Sequence, residues 1–246
     1  MSGTLTPQQM YIELLGINKS QTVTAEYQNP FPKNNKLSLI IPKTSTKYTD
    51  RSDLMYKNIA EICAEISNKI PGNTLIFFPS YDLRDKINNF FSTKCEKTTF
   101  LEYPNLSKEE KQSLLEKFKK NKEHGAVLLA TSSGSFGEGI DLIGDFLKCV
   151  IVVGLPLAKP DLETKELINY YDKRFSKGWD YGYIYPAIIK TIQNAGRCIR
   201  SETDKGVVIF LDERYNMQSY KKCFPPDYNF EVTLDYIAKI KEFFER

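Results

Sequence analysis

The chain has 246 residues, of which 41% are hydrophobic and 26% are charged, so it can bury a full-sized core as one domain with appendages. It contains neither a run of about 18 uncharged apolar residues nor a signal-peptide pattern, and we therefore expect a cytosolic protein without a membrane span. Its net charge of +3 is compatible with a nucleic-acid partner but does not require one.

Cysteine and histidine usage argues against a metal site built from this chain alone. The five cysteines are scattered without a C-x-x-C pair, and His124 is the only histidine. Free cysteine is among the most frequently buried residues, so we expect reduced thiols that serve as small apolar side chains. His124 lies at the end of a polar segment and is expected to face solvent.

The first 70 residues are interpreted as a lead-in that carries a basic loop. From Lys33 to Arg51 the sequence holds five Lys or Arg residues against one Asp, with several Thr and Ser residues among them. Such a loop can follow a DNA backbone, with Lys47 and Arg51 as contacts, or can be a solvated crossover. The composition leaves both interpretations open.

From about residue 70 onward, short apolar runs alternate with amphipathic segments, which is typical of an α/β fold with a parallel sheet flanked by helices. Four strands buried on both faces are predicted: Asn73 to Phe78, Ala126 to Thr131, Val150 to Val153 and Gly206 to Leu211. Helices are predicted over Leu54 to Ile70, from a Ser107 capping box to about Lys120, from about Pro186 to Arg200, and from about Leu234 to Phe244. Residues 71–212 would form the core, and the aromatic stretch from Tyr215 to Phe230 would wrap the surface within a C-terminal part, 213–246.

A glycine-rich turn, TSSGSFGEGID at 131–141, follows the second of these strands. Its glycines at 134, 137 and 139 let the backbone turn sharply and approach a ligand closely. Glu138 and Asp141 offer acceptors for ribose hydroxyls or for a water near a phosphate. The turn is therefore a candidate nucleotide site, and a glycine turn without a ligand is the alternative.

Gln193, Arg197 and Arg200 belong to the segment QNAGRCIR at 193–200. On a continuous helix they would fall within an arc of about 60°, opposite the isoleucines that face the core. Two guanidiniums on a rigid helix suit a transferring phosphoryl group, because each planar fork can bind phosphate oxygens bidentately. The alternative is a helix whose arginines pair with surface carboxylates.

A polar and aromatic turn follows the strand that ends at Phe78. Ser80 and Tyr81 stand where this strand is followed by a helix, so free N–H groups and hydroxyls there can hold a nucleic-acid phosphate or stack a base. An ordinary helix start is an equal alternative.

The strand that ends before Asp212 and Glu213 looks like one that delivers the magnesium-binding Asp-Glu pair of an ATPase. However, the sequence has no G-x-x-x-x-G-K-[ST] loop to hold the phosphates that such a metal would bridge. We therefore interpret Asp212 and Arg214 as structural partners at a strand end.

In this order and spacing, the segments resemble the C-terminal motor domain of XPD-type superfamily 2 helicases. Residues 2–5 (SGTL) resemble motif III of that family, and the run TLIFFPSY at 74–81 resembles motif IV. Residues 134–141 match the G-x-x-x-E-G-I-D of motif V, and residues 193–200 match the Q-x-x-G-R-x-x-R of motif VI. The segment TSTKYTDRSD at 44–53 looks like archaeal members, so the resemblance extends over nearly the whole chain.

The resemblance implies a RecA-like second motor domain of an ATP-dependent helicase that moves 5′ to 3′ on DNA in nucleotide excision repair. Arg197 and Arg200 would reach the γ-phosphate of ATP held by the first motor domain, and Gln193 would place the attacking water or sense the nucleotide. Gly139 and Asp141 would couple the nucleotide to bound DNA, and Glu138 would join them on the nucleotide side. Ser80, Tyr81 and Ser133 would be candidates for the single-stranded DNA track.

The family's P-loop, D-E-A-H motif, iron–sulfur cluster and arch insertion all precede motif III, in which this sequence starts. We therefore expect a fragment that leaves most contacts to ATP and Mg²⁺ to the first motor domain and hydrolyses ATP negligibly by itself. Two rival hypotheses remain: a stand-alone module that binds single-stranded DNA or a partner protein, and a self-contained α/β enzyme acting on a nucleotide. No recognisable acid–base or nucleophile set supports the second rival, and a bacterial DinG-type enzyme is the alternative within the resemblance.

Overall fold

The fold is given by a computed structural model that describes residues 5–27, 30–137, 146–226 and 228–246. Within these ranges seven strands form one sheet in which every pairing is parallel. The strands are β1 (Lys36–Ile40), β2 (Thr74–Phe78), β3 (Thr98–Leu101), β4 (Ala126–Thr131), β5 (Cys149–Val153), β6 (Gly206–Leu211) and β7 (Glu231–Val232). Their order across the sheet is β3-β4-β2-β5-β6-β1-β7, and their carboxyl ends meet at one side, which we call the carboxyl edge.

Helices cover both faces of this sheet. In the described ranges they are α1 (Gln8–Leu14), α2 (Asp53–Lys69), α3 (Tyr81–Phe91), α4 (Lys108–Lys120), α5 (Leu162–Phe175), α6 (Tyr185–Ala195), α7 (Gln218–Lys221) and α8 (Tyr236–Glu245). A π-helical turn, Asp180–Ile184, leads directly into α6. None of the described helices is long and apolar enough to cross a membrane.

The core consists of two layers, one on each side of the sheet. Along β2, Ile76 and Phe78 belong to the layer formed with α2, α3 and α8, whereas Leu75 and Phe77 belong to the layer formed with α4 and α6. Successive strand residues point to opposite faces, so a strand covered on both faces must be apolar throughout. All five residues of β2 are buried accordingly.

The predicted α/β fold with a parallel sheet is confirmed, and the four predicted strands lie within one residue of their expected bounds. The predicted capping box is also present, because the Ser107 hydroxyl accepts from the Glu110 N–H and the Glu110 carboxylate accepts from the Ser107 N–H. His124 is exposed, as predicted.

The interpretation of Lys33 to Arg51 as a single loop is wrong, because this range contains β1. Leu39 and Ile40 are fully buried, and β1 pairs with β6 on one side and β7 on the other. The strand is not evident in the sequence because its first two residues, Lys36 and Leu37, are only half-buried and its apolar residues are few among the basic and polar residues of the range. β3, whose residues are mostly half-buried, was missed for a similar reason.

The aromatic stretch from Tyr215 to Phe230 covers one face of the sheet and does not simply wrap the surface. Tyr215 is fully buried and Phe224 nearly so. Their rings pack edge-on against Phe210 of β6, with centroids 5.2 and 5.6 Å away. Because closely packed aromatic rings bury large areas, this stretch belongs to the hydrophobic core, and the core extends beyond 71–212.

Candidate functional site

The candidate residues that follow β1, β2 and β4 all lie at the carboxyl edge. Because every strand is parallel, the ends of these three strands face the same side of the molecule. Phe78 at the end of β2 is paired with Thr131 at the end of β4, which brings the turn at Ser80 next to the glycine-rich turn. The carboxyl ends of strands are where open α/β sheets bind their ligands.

Ser80 and Tyr81 form the start of α3. The exposed Ser80 hydroxyl accepts from the Leu83 N–H at 3.3 Å, so the helix-start interpretation is correct for its side chain. Tyr81 is half-buried, its hydroxyl interacts with the side chains of Thr131 and Glu102, and burial raises its pKa. The guanidinium of Arg84 lies 5.0 Å from the centre of the Tyr81 ring. Tyr81 therefore ties the start of α3 to the glycine-rich turn.

The described part of the glycine-rich turn, 131–137, is held by a buried carboxylate that the sequence did not reveal. Glu102, just after β3, is fully buried and accepts from the N–H groups of Thr131 at 2.7 Å and Phe136 at 3.1 Å. A side chain at Gly134 would collide with this carboxylate, which explains the glycine there. A lone Glu after a short strand gives no pattern to detect, since most Glu residues are exposed.

The three nucleotide-side residues of this turn, Glu138, Gly139 and Asp141, lie outside the described residues. The fourth loop candidate, Ser133, is exposed, and its hydroxyl accepts from the Lys190 ammonium at 3.0 Å. Lys190 was not among the predicted site residues, although it lies on the helix that contains Gln193. This contact joins α6 to the glycine-rich turn.

The expectation that Arg197 and Arg200 lie on a continuous helix with Gln193 is wrong. α6 ends at Ala195, and Gly196 makes the last helical bond to the Ile192 carbonyl before the chain tightens into a turn. Glycine is a poor helix former and a common residue at helix ends, so it terminates the face that the spacing suggested. Arg197 and Arg200 are therefore positioned by the turn and by tertiary contacts.

Arg197 is nearly buried and contacts the glycine-rich turn. Its Nη2 donates to the Gly137 carbonyl oxygen at 2.6 Å, and only 8% of the residue is exposed. A charged donor in a buried position makes a strong hydrogen bond. The structure thus brings the segment at 193–200 together with the turn at 131–137.

Arg200 is half-buried, and the turn around it is fixed by Asp204. The Asp204 carboxylate accepts from the N–H groups of Arg200 at 2.7 Å and Ser201 at 2.8 Å. Within the described part of the chain, the Arg200 side chain has no ion pair and its buried Nε has no hydrogen-bond partner. Among those residues, therefore, no surface carboxylate pairs with the guanidinium of Arg200.

Gln193 is half-buried near the end of α6.

Lys47 and Arg51 are both exposed in the segment that follows β1. The Arg51 Nε donates to the Thr46 carbonyl oxygen at 3.0 Å, which ties the guanidinium to the loop after β1. Both residues belong to the segment between β1 and α2, so they lie at the carboxyl edge, where Ser80 follows β2.

The interpretation of Asp212 and Arg214 as structural partners is confirmed. Asp212 is fully buried at the end of β6, and its Oδ2 lies 2.8 Å from the Arg214 Nη2. The same carboxylate accepts from the Thr46 N–H at 2.9 Å, which ties the loop after β1 to the end of β6. The Asp212 carboxylate is thus bound by Arg214 and Thr46 in the protein interior.

Residues 63–228 match the family model described as the helicase C-terminal domain. The XPD helicase subunit of general transcription and DNA repair factor IIH from Dictyostelium discoideum is 28% identical over 244 residues, covering 91% of this chain and 30% of that protein. The ATP-dependent DNA helicase XPD from Sulfolobus acidocaldarius is 27% identical over 230 residues, covering 90% and 40%. A solved XPD helicase superposes with a TM-score of 0.64 at 26% identity, covering 80% of this chain and 35% of that one.

The chain spans less than half the length of these relatives. The family match covers well over half of the chain, and it includes β2, the described part of the glycine-rich turn and the segment at 193–200. The parallel sheet flanked by helices agrees with the superposed XPD structure. The chain therefore belongs to the helicase C-terminal domain family, as a RecA-like domain of the XPD type.

Proposed function

We propose that this chain is the C-terminal motor half of an ATP-dependent helicase that moves 5′ to 3′ along single-stranded DNA in nucleotide excision repair. It supplies arginine fingers to ATP held by a first motor domain and forms part of the DNA track. The names of the relatives support this proposal, since one is an ATP-dependent DNA helicase and the other a helicase subunit of a DNA repair factor.

The observation that carries the proposal is the hydrogen bond from Arg197 to the Gly137 carbonyl. It places the arginine segment against the glycine-rich turn that continues into Glu138, Gly139 and Asp141. The same turn contacts α6 through Ser133 and the start of α3 through Thr131. A motor needs such contacts, because the state of the bound nucleotide must change the affinity of the protein for DNA.

On the nucleotide side, Arg197 and Arg200 bind the γ-phosphate oxygens as charge spreads over them in the transition state. Gln193, on the last turn of α6, places the attacking water or senses the nucleotide. Guanidiniums fit the phosphate and not a metal, and no cluster of three or more His, Cys, Asp or Glu residues able to hold a metal occurs within the described ranges. We assign Mg²⁺ mainly, and any iron–sulfur cluster entirely, to the preceding half of the helicase.

On the DNA side, Ser80, Tyr81 and Ser133 hold the single strand at the carboxyl edge, with Lys47 and Arg51 neutralising its phosphates. Helices α2 and α3 both begin at this edge. The N–H groups in the first turn of a helix that are not used within the helix favour phosphate binding. Tyr81 adds an aromatic ring on which a base can stack.

The proposal is tested by measuring ATP hydrolysis by this chain with and without the separately purified first motor domain, in the presence of single-stranded DNA. Activity that appears only in the mixture is the expected result. Activity of this chain alone would contradict the assignment of the phosphate-binding loop to the other half. If the two halves associate but the mixture does not hydrolyse ATP, the result would favour a binding module without catalysis.

Arginine variants test the finger assignment in the same mixture. We expect Arg197→Ala and Arg200→Ala each to lower kcat by about 10³-fold while the KM for ATP changes little, because the guanidiniums act mainly in the transition state. Arg174→Ala is the matched control, because Arg174 is an exposed arginine on α5 whose contacts among the described residues are with its neighbours Tyr170 and Phe175. Near-normal turnover of both site variants would disprove the assignment.

A further inference from the structure

The strand β3 lies at an open edge of the sheet. Within the described ranges it pairs with β4 alone. The Glu102 N–H, just after β3, donates to the Leu129 carbonyl of β4 at 3.0 Å. Because backbone groups alternate in direction along a strand, the N–H and C=O groups of Thr99 and Leu101 point away from β4. None of these groups has a hydrogen-bond partner among the described residues.

The edge lacks features by which proteins block pairing with another chain. Such features include charged side chains, prolines and bulges on the edge strand. β3 has the sequence TTFL, without charge or proline. The ammonium of Lys97, just before β3, donates to the carbonyls of Ile70 and Gly72 at 2.6 and 2.9 Å, so this charge is held by the loop after α2. A strand of four residues is short, however, so a stable contact needs more surface than β3 alone provides.

A groove beside this edge supplies that surface. It is an open cavity of about 430 Å³ between the end of β3 and helix α4. Leu101, Leu106 and Leu114 line its apolar part, and the 56% exposed Tyr103 lines it as well. An apolar groove next to unpaired strand groups is typical of a surface that binds another chain.

The α4 side of the groove carries opposite charges at its two ends. Glu109, Ser113 and Lys117 are exposed and line the groove. They follow one another at intervals of four residues, so they share one face of α4. Leu115 and Phe118, on the opposite face of the helix, are buried in the core. The groove face of α4 therefore has an acidic end, a small residue at its centre and a basic end.

We infer that this surface binds a second copy of the chain, with β3 paired antiparallel to β3 of the other copy. The two-fold axis of such a pair also reverses α4, so an arrangement centred on Ser113 sets Glu109 of each copy against Lys117 of the other. This match of charges favours a second copy over an unrelated peptide, because one surface carries both halves of the contact.

The inferred dimer leaves the carboxyl edge of each copy open. Because the two sheets join antiparallel, the carboxyl edges of the two copies face opposite directions. The residues assigned above to nucleotide and DNA therefore stay accessible in both copies. The inference does not depend on that assignment.

Sedimentation velocity of this chain from about 1 to about 200 µM measures the association. We expect monomers at the low end and dimers at the high end, because an interface of this size is weak. Glu109→Lys and Lys117→Glu should each raise the dissociation constant about tenfold, since each sets like charges against one another. An equimolar mixture of the two variants should restore about the wild-type value, because their mixed dimer has only opposite charges at these contacts.

Glu166→Lys and Lys165→Glu are the matched controls. Both residues are exposed on α5, outside the groove, and their replacement changes the net charge as the groove variants do. The controls should leave the dissociation constant unchanged. A loss of association in the controls equal to that in the groove variants would refute the inference, since it would show an effect of net charge alone.

Thr99→Pro tests the strand pairing. Proline removes an N–H that points to the open edge and that makes no bond to β4, so it is tolerated in an edge strand but blocks a second strand. We expect a monomer with a native circular dichroism spectrum. A natively folded variant that still forms dimers would refute the pairing through β3.

The charge variants decide the question if Thr99→Pro does not fold. A wild-type chain that stays monomeric at every concentration would overturn the inference and leave the edge to another protein or another segment. Dimers that persist in both single charge variants would also overturn it. The same holds for a mixture of the two variants that does not recover the association.

Discussion

At the residue scale, Asp212 shows how a residue that looks catalytic can be structural. Its carboxylate accepts from the Arg214 N–H at 3.0 Å and Nε at 2.8 Å, besides the Nη2 at 2.8 Å. It also accepts from the N–H and hydroxyl of Thr46. Through these buried hydrogen bonds, the carboxylate joins the loop after β1 to the end of β6.

Replacement of Asp212 should therefore cost stability. We expect Asp212→Ala to lower the free energy of unfolding by about 3 to 5 kcal/mol, because it leaves the buried Arg214 uncompensated. Urea denaturation followed by circular dichroism measures this change. Glu61→Ala is the control, since Glu61 pairs with Lys94 at 2.9 Å on the exposed surface, and should change the midpoint little. Equal effects of the two substitutions would contradict the structural role of Asp212.

The cysteines differ in their access to solvent. Cys63, Cys149, Cys198 and Cys223 are buried, whereas Cys95 is half-buried. Burial raises the pKa of Cys198 to about 12 and that of Cys223 to about 11. Because the thiolate is the reactive form, these two thiols should be inert in the native protein at neutral pH.

We therefore expect one thiol per native chain to react rapidly with a disulfide reagent at pH 8, and all five to react after denaturation. Cys95→Ser should abolish the rapid phase, whereas Cys63→Ser should leave it intact. The absorbance of the released thiolate measures both amplitudes. A rapid phase that survives Cys95→Ser would show that a second thiol is accessible.

At the element scale, α1 is fastened to the π-helical turn that leads into α6. The Glu13 carboxylate accepts from the Tyr181 hydroxyl at 2.5 Å and lies 3.4 Å from the Lys177 ammonium. Burial opposes ionisation of Glu13, but hydrogen bonds from Tyr181, Gln9 and Lys177 outweigh it and lower its pKa from 4.5 to about 2. The ionised carboxylate therefore stabilises the docked α1.

This contact makes a pH-dependent contribution to stability. Since the folded pKa lies below the unfolded value of 4.5, the contribution is complete above about pH 5 and is lost as pH falls toward 2. We expect Glu13→Gln to lower the Tm at pH 7 and the difference from wild type to shrink by pH 3. Scanning calorimetry at several pH values measures it. A difference that does not depend on pH would show that Glu13 acts only through packing.

At the scale of the whole molecule, the net charge of +3 is small, so binding to DNA depends on where the charges lie. Lys47 and Arg51 are exposed in the segment between β1 and α2, at the carboxyl edge where Ser80 is also exposed. Each phosphate contact releases counterions, which gives a slope of about −0.7 per contact in a plot of log K against log salt for single strands.

We expect Lys47→Ala and Arg51→Ala each to reduce the magnitude of this slope by about 0.7 for single-stranded DNA. Fluorescence anisotropy of a labelled oligonucleotide at several salt concentrations measures it. Arg246→Ala, at the exposed end of α8, should leave the slope unchanged. Unchanged slopes for both edge variants would remove these residues from the track. Tight binding by this chain alone would favour the stand-alone module over the motor half.

Several features were predictable from the sequence because they depend on short-range patterns. The four apolar strands, the capping box at Ser107 and the partnership of Asp212 with Arg214 follow from residues close together in the chain. The order of the motif-like segments was likewise sufficient to indicate the family to which the chain belongs.

Other features depend on residues that are far apart in the chain, so the sequence pattern did not predict them. β1 is a strand because β6 and β7 pair with it, and Glu102 is buried because the turn after β4 satisfies its carboxylate. Arg197 is placed by Gly137, sixty residues away, and not by the helix that its spacing suggested. Burial and hydrogen-bond partners are properties of the assembled fold, and a charged or glycine-containing stretch of sequence does not specify them locally.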